Sequence, residues 1–226
     1  MDALILAAGV GKRMLPLTKT TPKPLLPIGK TSLIEEQIDK LVAAGIKHIV
    51  ITLHHLGEQI FNKIGNGKRW NITIEYSWEQ KLLNTGSGVM HALPKISSQQ
   101  FLLVNSDIYT DYPYAQLLNV NVSGHGHLVL VPNHANIHAD FGLHNSLITN
   151  ASSNQKSYTF SGISILDKTI IMQYAEKNLS KHTQSLKTIL DKAIAHQEVF
   201  GEIYTGYWCD AGTHSNYETL QHLLQK

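Results

Sequence analysis

The sequence has little of what a disulfide-linked, membrane-spanning or nucleic-acid-binding protein requires. Cys209 is the only cysteine, so no disulfide can form within the chain, and a reducing compartment is expected. No apolar run approaches the roughly 20 residues that cross a bilayer. The 19 basic and 17 acidic residues nearly balance, without a long basic run, so neither a membrane nor a nucleic acid is an expected partner.

Signals for export or for several domains are also missing. Asp2 precedes the first apolar residues and Lys12 and Arg13 follow them, which reverses the charge order of a signal peptide. Because repeats and low-complexity linkers are absent, residues 1–226 are predicted to form one domain, and 42% hydrophobic residues suffice for its core. We expect a cytoplasmic protein that is a monomer or a weak dimer.

What the sequence does contain is an alternation of short apolar runs and helical patterns. The clearest helix begins with a capping box, Ser32 with Glu35, and ends at Gly45. Strands are predicted at 4–6, 48–53, 72–76, 101–105, 126–132, 158–166 and 199–206, and helices at 31–45, 56–65, 89–96, 186–197 and from 213. Segments 78–88 and 133–157 are predicted to be loops. This order predicts an α/β fold with three αβα layers, in which helices flank a mostly parallel, Rossmann-like sheet.

The loop after the first predicted strand has the composition of a phosphate-binding site. Gly9 and Gly11 allow the backbone to approach a ligand and to turn its N–H groups inward. Arg13 and Lys23 add fixed positive charge, and four prolines stiffen the segment that carries them. Because ligands bind beyond the carboxyl ends of parallel strands, we expect a rigid cradle for a polyphosphate here.

Two familiar phosphate-binding motifs do not fit this loop. A dinucleotide-binding G-x-G-x-x-G motif would need a glycine where Met14 stands. A P-loop would need a glycine at Leu6 and a hydroxyl at Arg13. The sequence therefore indicates neither a Rossmann dehydrogenase nor a kinase-like ATPase.

The stretch LILAAGVGKRMLPLTKTTPKPLLPI, residues 4–28, resembles the signature of sugar-1-phosphate nucleotidyltransferases, L-A-A-G-x-G-x-R-x-x-P-L-T followed by P-K-P-L. The likeness continues through VNSDIYTD, HADF, FSGISIL and GYWCDAGT, over nearly the whole chain. It implies a GT-A-like nucleotidyltransferase sheet. It also implies a reaction in which a sugar 1-phosphate attacks a nucleoside triphosphate and pyrophosphate leaves.

This reaction brings two polyanions together, so neutralising their charge is the main obstacle. Mg²⁺ is suited to it, because it binds one or two carboxylates together with substrate phosphates. Asp107 and Asp210 each follow a predicted strand, and the resemblance assigns both as Mg²⁺ ligands. From the residues alone, Asp107 could equally initiate a turn and Asp210 could equally cap a helix.

The resemblance also implies the other site residues. Arg13 and Lys23 are the expected catalytic residues. The nucleotide is expected to contact Ala7, Ala8, Gly9, Gly11, Lys12, Arg13, Lys23, Glu79, Thr85, Gly86, Ser87 and Asn105. The sugar is expected to contact Ile108, Asp140, Ser161 and Gly162, within or beside a sugar-binding excursion around 133–160. Related enzymes carry an E-K-P lysine on the sugar phosphate; this chain has NQKSYTFSG there, which leaves that contact to Lys23 and Arg13.

The resemblance implies that the substrates are UTP and a sugar 1-phosphate, and within the family it favours N-acetylmuramic acid α-1-phosphate from cell-wall recycling. Other pairs stay open: GTP with mannose 1-phosphate, dTTP with glucose 1-phosphate, or CTP with phosphocholine. An alternative of a different class is a non-catalytic sensor of nucleotide sugars. Arg13, Lys23, Asp107 and Asp210 are all present, which favours an enzyme.

Overall fold

The structure is a computed structural model that describes residues 1–120, 122–133, 139–152, 156–177 and 183–224. Parts of the predicted 133–160 excursion, such as His134 to His138, lie outside the described residues. No helix in the described part of the chain is long and apolar enough to cross a membrane.

Strands and α-helices alternate over much of the first half of the chain, and four strands follow one another in the second half. The strands are β1 (Asp2–Leu6), β2 (Pro27–Ile28), β3 (Thr31–Ser32), β4 (His48–Leu53), β5 (Thr73–Trp78), β6 (Gln100–Asn105), β7 (Ile108–Thr110), β8 (Gly126–Pro132), β9 (Phe141–His144), β10 (Leu147–Asn150), β11 (Ser157–Asp167), β12 (Val199–Ile203) and β13 (Trp208–Asp210). The helices are α1 (Leu33–Ala43), α2 (Gly57–Ile64), α3 (Thr85–Ala92), α4 (Tyr114–Leu117), α5 (Lys168–Tyr174), α6 (Leu186–Ala195) and α7 (His214–Leu224). Most predicted elements are present, and the strand predicted over 199–206 ends at Ile203.

The main sheet has nine strands in the order β5-β4-β1-β6-β11-β8-β12-β10-β9. β1 is an interior strand, third from the β5 edge, and pairs in parallel with β4 on one side and β6 on the other. The pairings give one common direction to all strands of this sheet except β10 and β11, which run the opposite way. The prediction of a mostly parallel α/β sheet is confirmed.

Both faces of the sheet are covered, which completes the three layers. Leu4 points to the face covered by α3, α5 and α6, and Ile5 points to the face covered by α1 and α2. Each side chain is fully buried, because successive residues of a strand alternate between faces and both faces are packed. Burying one such side chain contributes roughly 1.5–3 kcal/mol. The apolar run at the start of the chain therefore forms an interior strand of the sheet.

Helix α1 begins as its capping box predicts. Glu35 Oε2 accepts hydrogen bonds from the Ser32 backbone N–H at 3.1 Å and from Ser32 Oγ at 2.5 Å. Arg69 donates to the other oxygen of Glu35 at 2.6 Å. Gly45 follows the helix with φ at 96°, a conformation that glycine adopts without a steric cost.

The prediction of a loop over 78–88 is wrong in its second half, where α3 begins at Thr85. Tertiary partners hold this first turn. Thr85 Oγ1 accepts from the Leu186 N–H at 2.9 Å, and Ser87 exchanges two hydrogen bonds with the backbone of Gln184. Glycine and serine are weak helix formers, so the local sequence alone indicates a turn.

The 133–157 segment is also more regular than predicted, because β9 and β10 form a hairpin within it. Asn145 and Ser146 connect the strands, with φ angles of 46° and 67°. Two successive residues with positive φ suit the twist of a tight hairpin, and asparagine tolerates this conformation. The asparagine between two short apolar runs is the sequence signal that could have revealed the hairpin.

Candidate active site

A cavity of about 330 Å³ opens at the carboxyl ends of β1 and β6. This is where ligands bind in open α/β sheets. Its wall includes eleven of the predicted site residues, which are Ala7, Ala8, Gly9, Gly11, Lys12, Arg13, Lys23, Glu79, Thr85, Asn105 and Asp107. We call it the phosphate cavity, because its basic side chains, Lys12, Arg13 and Lys23, come from the loop with the predicted phosphate-binding residues.

The loop after β1 is held in its conformation by contacts within the loop and by the packing of Met14 in a small core. Gly11 has φ at 66°, and a side chain there would come within 2.8 Å of Thr18 Cγ2. Thr18 Oγ1 donates to the Gly11 carbonyl at 2.8 Å. Met14 is fully buried in a small core with Leu26 and Tyr217, so the loop is anchored to α7. Its backbone geometry therefore exists before any ligand arrives.

The two predicted catalytic cations differ in exposure. Lys23 is buried, with only 7% of its surface accessible, and its Nζ lies 2.5 Å from Asp107 Oδ2. The Arg13 side chain is 67% exposed, and its Nη2 lies 3.7 Å from Asp210 Oδ2. Lys23 is thus a fixed charge inside the site, whereas Arg13 reaches it from the solvent side.

Gly212 lies where these charged groups converge. A Cβ atom there would be 2.5 Å from Asp210 Oδ1, 2.7 Å from Arg13 Nη2 and 2.9 Å from Lys23 Nζ. Its N–H donates to Asp210 Oδ1 at 2.8 Å. A side chain at this position would displace the ends of these three side chains, and sequence reasoning did not include Gly212 among the site residues. The D-A-G-T stretch that follows β13 is the signal that could have found it.

The two predicted metal ligands are brought together by the pairing of β7 with β13. Asp210 is opposite Ile108 in this ladder, and the Ala211 N–H donates to the Asp107 carbonyl at 2.9 Å. Burial, and then the neighbouring charge of Asp107, raise the pKa of Asp210, and Lys23 opposes this shift only in part. A bound cation would relieve the repulsion between the two carboxylates.

Asp107 and Asp210 are the two carboxylates that could hold Mg²⁺ at this site. Among residues 1–120, 122–133, 139–152, 156–177 and 183–224, no group of three or more His, Cys, Asp or Glu side chains could hold a metal ion. Two carboxylates at the edge of a phosphate cavity suit an ion that completes its coordination with substrate phosphates and water. Asp107 and Asp210 therefore fit Mg²⁺.

Glu79 shapes the far end of the phosphate cavity. Its side chain is buried, and its Oε2 accepts from the Leu83 N–H at 2.8 Å. A Cβ at Gly88 would lie 2.9 Å from Glu79 Oε1, so α3 approaches this carboxylate closely. Burial raises the pKa of Glu79, and the Leu83 hydrogen bond offsets part of that rise. Glu79 thereby fixes the turn that carries Leu82 and Leu83 into the cavity wall.

Three predicted contact residues face away from the cavities that the structure describes. Gly86 packs against Ser185 and Ser87 is fully buried, so both join α3 to the segment before α6. Ile108 is buried in the core beneath α1, and its carbonyl accepts from Gln37 at 2.7 Å. The expected substrate contacts of these residues are therefore not supported by their position, and their side chains have structural partners instead.

Ser161 and Gly162 form an irregularity in β11 beside Asn105. The register of β11 with β8 shifts between Phe160 and Ile163. Gly162 has φ at 81°, and a Cβ there would come within 2.7 Å of Asn105 Nδ2. Ser161 Oγ accepts from the Ile163 N–H at 3.2 Å. Gly162 packs closely against Asn105, and Asn105 itself lines the phosphate cavity.

A second cavity, of about 180 Å³, adjoins the first and is called the side cavity below. The two share Leu6, Thr85 and Asn105 as a common wall. Asp140, which the resemblance places near the sugar, lines the side cavity. Its Oδ2 accepts from the Phe160 N–H at 2.8 Å, which fixes the carboxylate on the end of β11.

The sequence profile of the nucleotidyl transferase family matches residues 2–226 of this chain. The chain therefore belongs to this family and is a nucleotidyltransferase. The N-acetylmuramate alpha-1-phosphate uridylyltransferase of Neisseria meningitidis serogroup B is 37% identical to it over 221 residues, which cover 94% of each chain.

More distant relatives are also similar. The mannose-1-phosphate guanylyltransferase catalytic subunit beta of Drosophila melanogaster is 25% identical over 96% of this chain, which spans 61% of the length of that relative. The inositol-1-phosphate CTP transferase of T. maritima superposes with a TM-score of 0.80 at 17% identity, over 100% of this chain and 96% of that one. At this identity the structural likeness shows the fold alone.

Proposed function

We propose that this enzyme transfers a uridylyl group from UTP to N-acetylmuramic acid α-1-phosphate, in the cytoplasm and in the recycling of cell-wall sugars. A sugar-phosphate oxygen forms a bond to the α-phosphorus, and the bond from that phosphorus to the oxygen shared with the β-phosphate breaks. The products are UDP-N-acetylmuramic acid and pyrophosphate. The observation that carries this choice of substrates is the 37% identity, over 94% of both chains, to a uridylyltransferase of that specificity.

The charge pattern of the phosphate cavity supports this reaction. The attacking sugar-phosphate oxygen is already ionised, so the site needs cations and backbone donors rather than a general base. Lys23 lies inside the cavity and would bind the α-phosphate or the incoming sugar phosphate. Arg13, at the solvent side, would stabilise the charge that develops on pyrophosphate. The loop at Gly9 and Gly11 would add backbone N–H groups.

Asp107 and Asp210 would hold Mg²⁺ at the edge of this cavity. When bound, Mg²⁺ neutralises charge on the phosphate oxygens. In the free protein each of the two carboxylates has a positive partner, because Lys23 lies against Asp107 and Arg13 lies near Asp210. The glycine at position 212 leaves the space in which both cations and both carboxylates can meet one ligand.

The other lining residues would bind the nucleoside in the phosphate cavity and the sugar in the side cavity. The turn carried by Glu79, together with Thr85, would bind the nucleoside at the far end of the phosphate cavity. The sugar ring would enter the side cavity past Asn105, with Asp140 near its hydroxyl groups. This arrangement leaves the sugar phosphate within reach of Lys23.

The test is pyrophosphate release with Mg²⁺, with UTP, dTTP, GTP and CTP each paired with N-acetylmuramic acid, N-acetylglucosamine, glucose and mannose 1-phosphates and with phosphocholine. We expect the largest kcat/KM for UTP with N-acetylmuramic acid α-1-phosphate, and loss of the signal with EDTA. A larger value for another pair would reassign the substrates within the family. No turnover of any pair, with nucleotide binding intact, would instead support a sensor of nucleotide sugars.

A further inference from the structure

The side cavity differs from the phosphate cavity in its lining. Among the described residues, that lining is largely apolar and carries a single cation. Phe141, Phe160, Leu186 and Leu190 form most of its apolar part. Among the described residues that line it, Lys187 is the only basic side chain. Asp140 is the only acidic side chain among the described lining residues, so this cavity holds few charges.

Lys187 is held at the rim by two neighbours. Its Nζ lies 2.7 Å from Asp191 Oδ1 and 4.8 Å from the centre of the Phe141 ring. An ammonium group has three N–H donors, and Asp191 occupies one of them. The Lys187 side chain is 47% exposed, so the other donors are accessible to a ligand in the cavity.

The position of Lys187 is not explained by the stability of its helix. Lys187 is the second residue of α6, whose first turn contains no acidic residue. A cation at a helix N-terminus is unfavourable to the helix dipole. A lysine that precedes an aspartate by four residues is also the weaker order for a helical ion pair. An anion bound beside Lys187 would benefit from both the ammonium group and the N-terminal end of α6.

We infer that Lys187 binds the carboxylate of the sugar substrate and thereby selects an acidic sugar 1-phosphate over its neutral analogue. The inference rests on the proposed function. N-acetylmuramic acid differs from N-acetylglucosamine by a lactyl ether that carries a carboxylate. With its phosphate at Lys23 and its ring past Asn105, the sugar directs its remaining substituents into the side cavity, where Lys187 is the cation. The E-K-P lysine of related enzymes is not needed for this selection, because the cation that selects the acidic sugar is Lys187 on α6.

The experiment compares N-acetylmuramic acid α-1-phosphate with N-acetylglucosamine 1-phosphate in wild type and in Lys187→Met, with UTP and Mg²⁺. Methionine keeps most of the length of lysine and removes its charge. We expect the ratio of the two kcat/KM values to fall about tenfold or more, because a charge-assisted hydrogen bond to the carboxylate is lost. The loss should appear in KM and in the Kd of the acidic sugar phosphate from calorimetry. Lys187→Arg should keep most of the selectivity.

Lys192→Met is the matched control. Lys192 is on the same helix but its Nζ bonds to the Tyr174 carbonyl at 3.2 Å, and it does not line the side cavity. This control should leave the ratio as in wild type. Equal losses of both substrates in Lys187→Met, or an unchanged ratio, would overturn the role of Lys187. Failure of the wild-type protein to bind or convert the acidic substrate would overturn the proposed function instead.

Discussion

The phosphate cavity and the side cavity are assembled in different ways. The first takes about half of its lining from one stretch of chain, between residues 6 and 24, and the rest from β4, the turn between β5 and α3, α3 itself, the end of β6 and Gly212. The second takes its lining from β1, α3, β6, the start of the β9 hairpin, β11 and α6. A polyphosphate can be bound by backbone N–H groups and fixed charges on one loop, whereas a sugar must be enclosed by side chains from many directions.

The two cavities also differ in electrostatics. In the phosphate cavity, cations and carboxylates are crowded together, and the pKa of Asp210 is raised by its burial and by Asp107. In the side cavity, Lys187 and Asp140 each have their own local partner, Asp191 and the Phe160 N–H. Changes in the phosphate cavity should therefore affect catalysis and folding stability together. Changes in the side cavity should affect sugar binding alone.

The largest expected effect comes from Asp210→Asn. Loss of a proposed metal ligand should lower kcat by about 100- to 1,000-fold, the range found when a key charge-stabilising group is removed. The same change should raise the melting temperature of the metal-free protein. Because the folded-state pKa of Asp210 lies above its ordinary value, stability falls as pH rises through that range, and the neutral amide avoids this cost at pH 7.

Pyrophosphate release and thermal unfolding without Mg²⁺ provide the two readouts for this variant. Glu218→Gln, at an exposed position on α7, removes a carboxylate of the same charge and should change neither readout. Full activity of Asp210→Asn with Mg²⁺ would remove Asp210 from the metal site. A lower melting temperature would contradict the repulsion between the two carboxylates.

The next effect in size is that of Gly212→Ala. Its added Cβ would come within 3 Å of Asp210, Arg13 and Lys23, so these groups must shift. We expect kcat to fall about 10- to 100-fold, since misplacing catalytic groups by about 1 Å can cost that much. The variant should fold, because Gly212 does not have a positive φ. Gly9→Ala should have a smaller effect, because a Cβ there meets no atom within 4 Å. A larger effect at Gly9 would mean that close approach of the phosphates to the loop matters more than the charge cluster.

Asp140→Asn tests whether the side cavity binds the sugar. We expect KM for the sugar 1-phosphate to rise about tenfold, because hydrogen bonds from sugar hydroxyls to a charged acceptor are lost. The amide oxygen can still accept from the Phe160 N–H, so β11 should keep its shape. Steady-state kinetics should show an unchanged KM for UTP. A parallel rise in both KM values would show that the two cavities do not act separately.

The smallest effect is expected for Ser87→Ala, which removes a partner of Gln184. The Ser87 Oγ accepts from the Gln184 N–H at 2.9 Å inside the protein, so its loss should lower the free energy of unfolding by about 1–2 kcal/mol. Urea denaturation measures this change. Because Ser87 faces away from the phosphate cavity, KM for UTP should stay as in wild type. A severalfold rise in that KM at unchanged stability would restore Ser87 as a nucleotide contact.

Much of the phosphate cavity could be predicted from the chain alone. The run at 4–6 predicts a buried strand, and the glycines and cations that follow must then lie at its carboxyl end. Asp107 is predictable in the same way, as the polar residue after β6. The local sequence could not show that the residues of T-G-S-G, 85–88, have different roles. There Thr85 lines the cavity while Ser87 is turned toward Gln184 by helix geometry.

The sequence by itself determined the class of fold, the order of the strands and helices in its first half, and the position of the phosphate-binding loop. These follow from apolar periodicity, caps and a motif in which neighbouring residues act together. Only the tertiary structure decided that Gly212 is the point where the charges meet, and that Lys187 joins Asp140 in one cavity. Such groupings depend on the pairing of β7 with β13 and on the packing of α6, which join residues far apart in the chain.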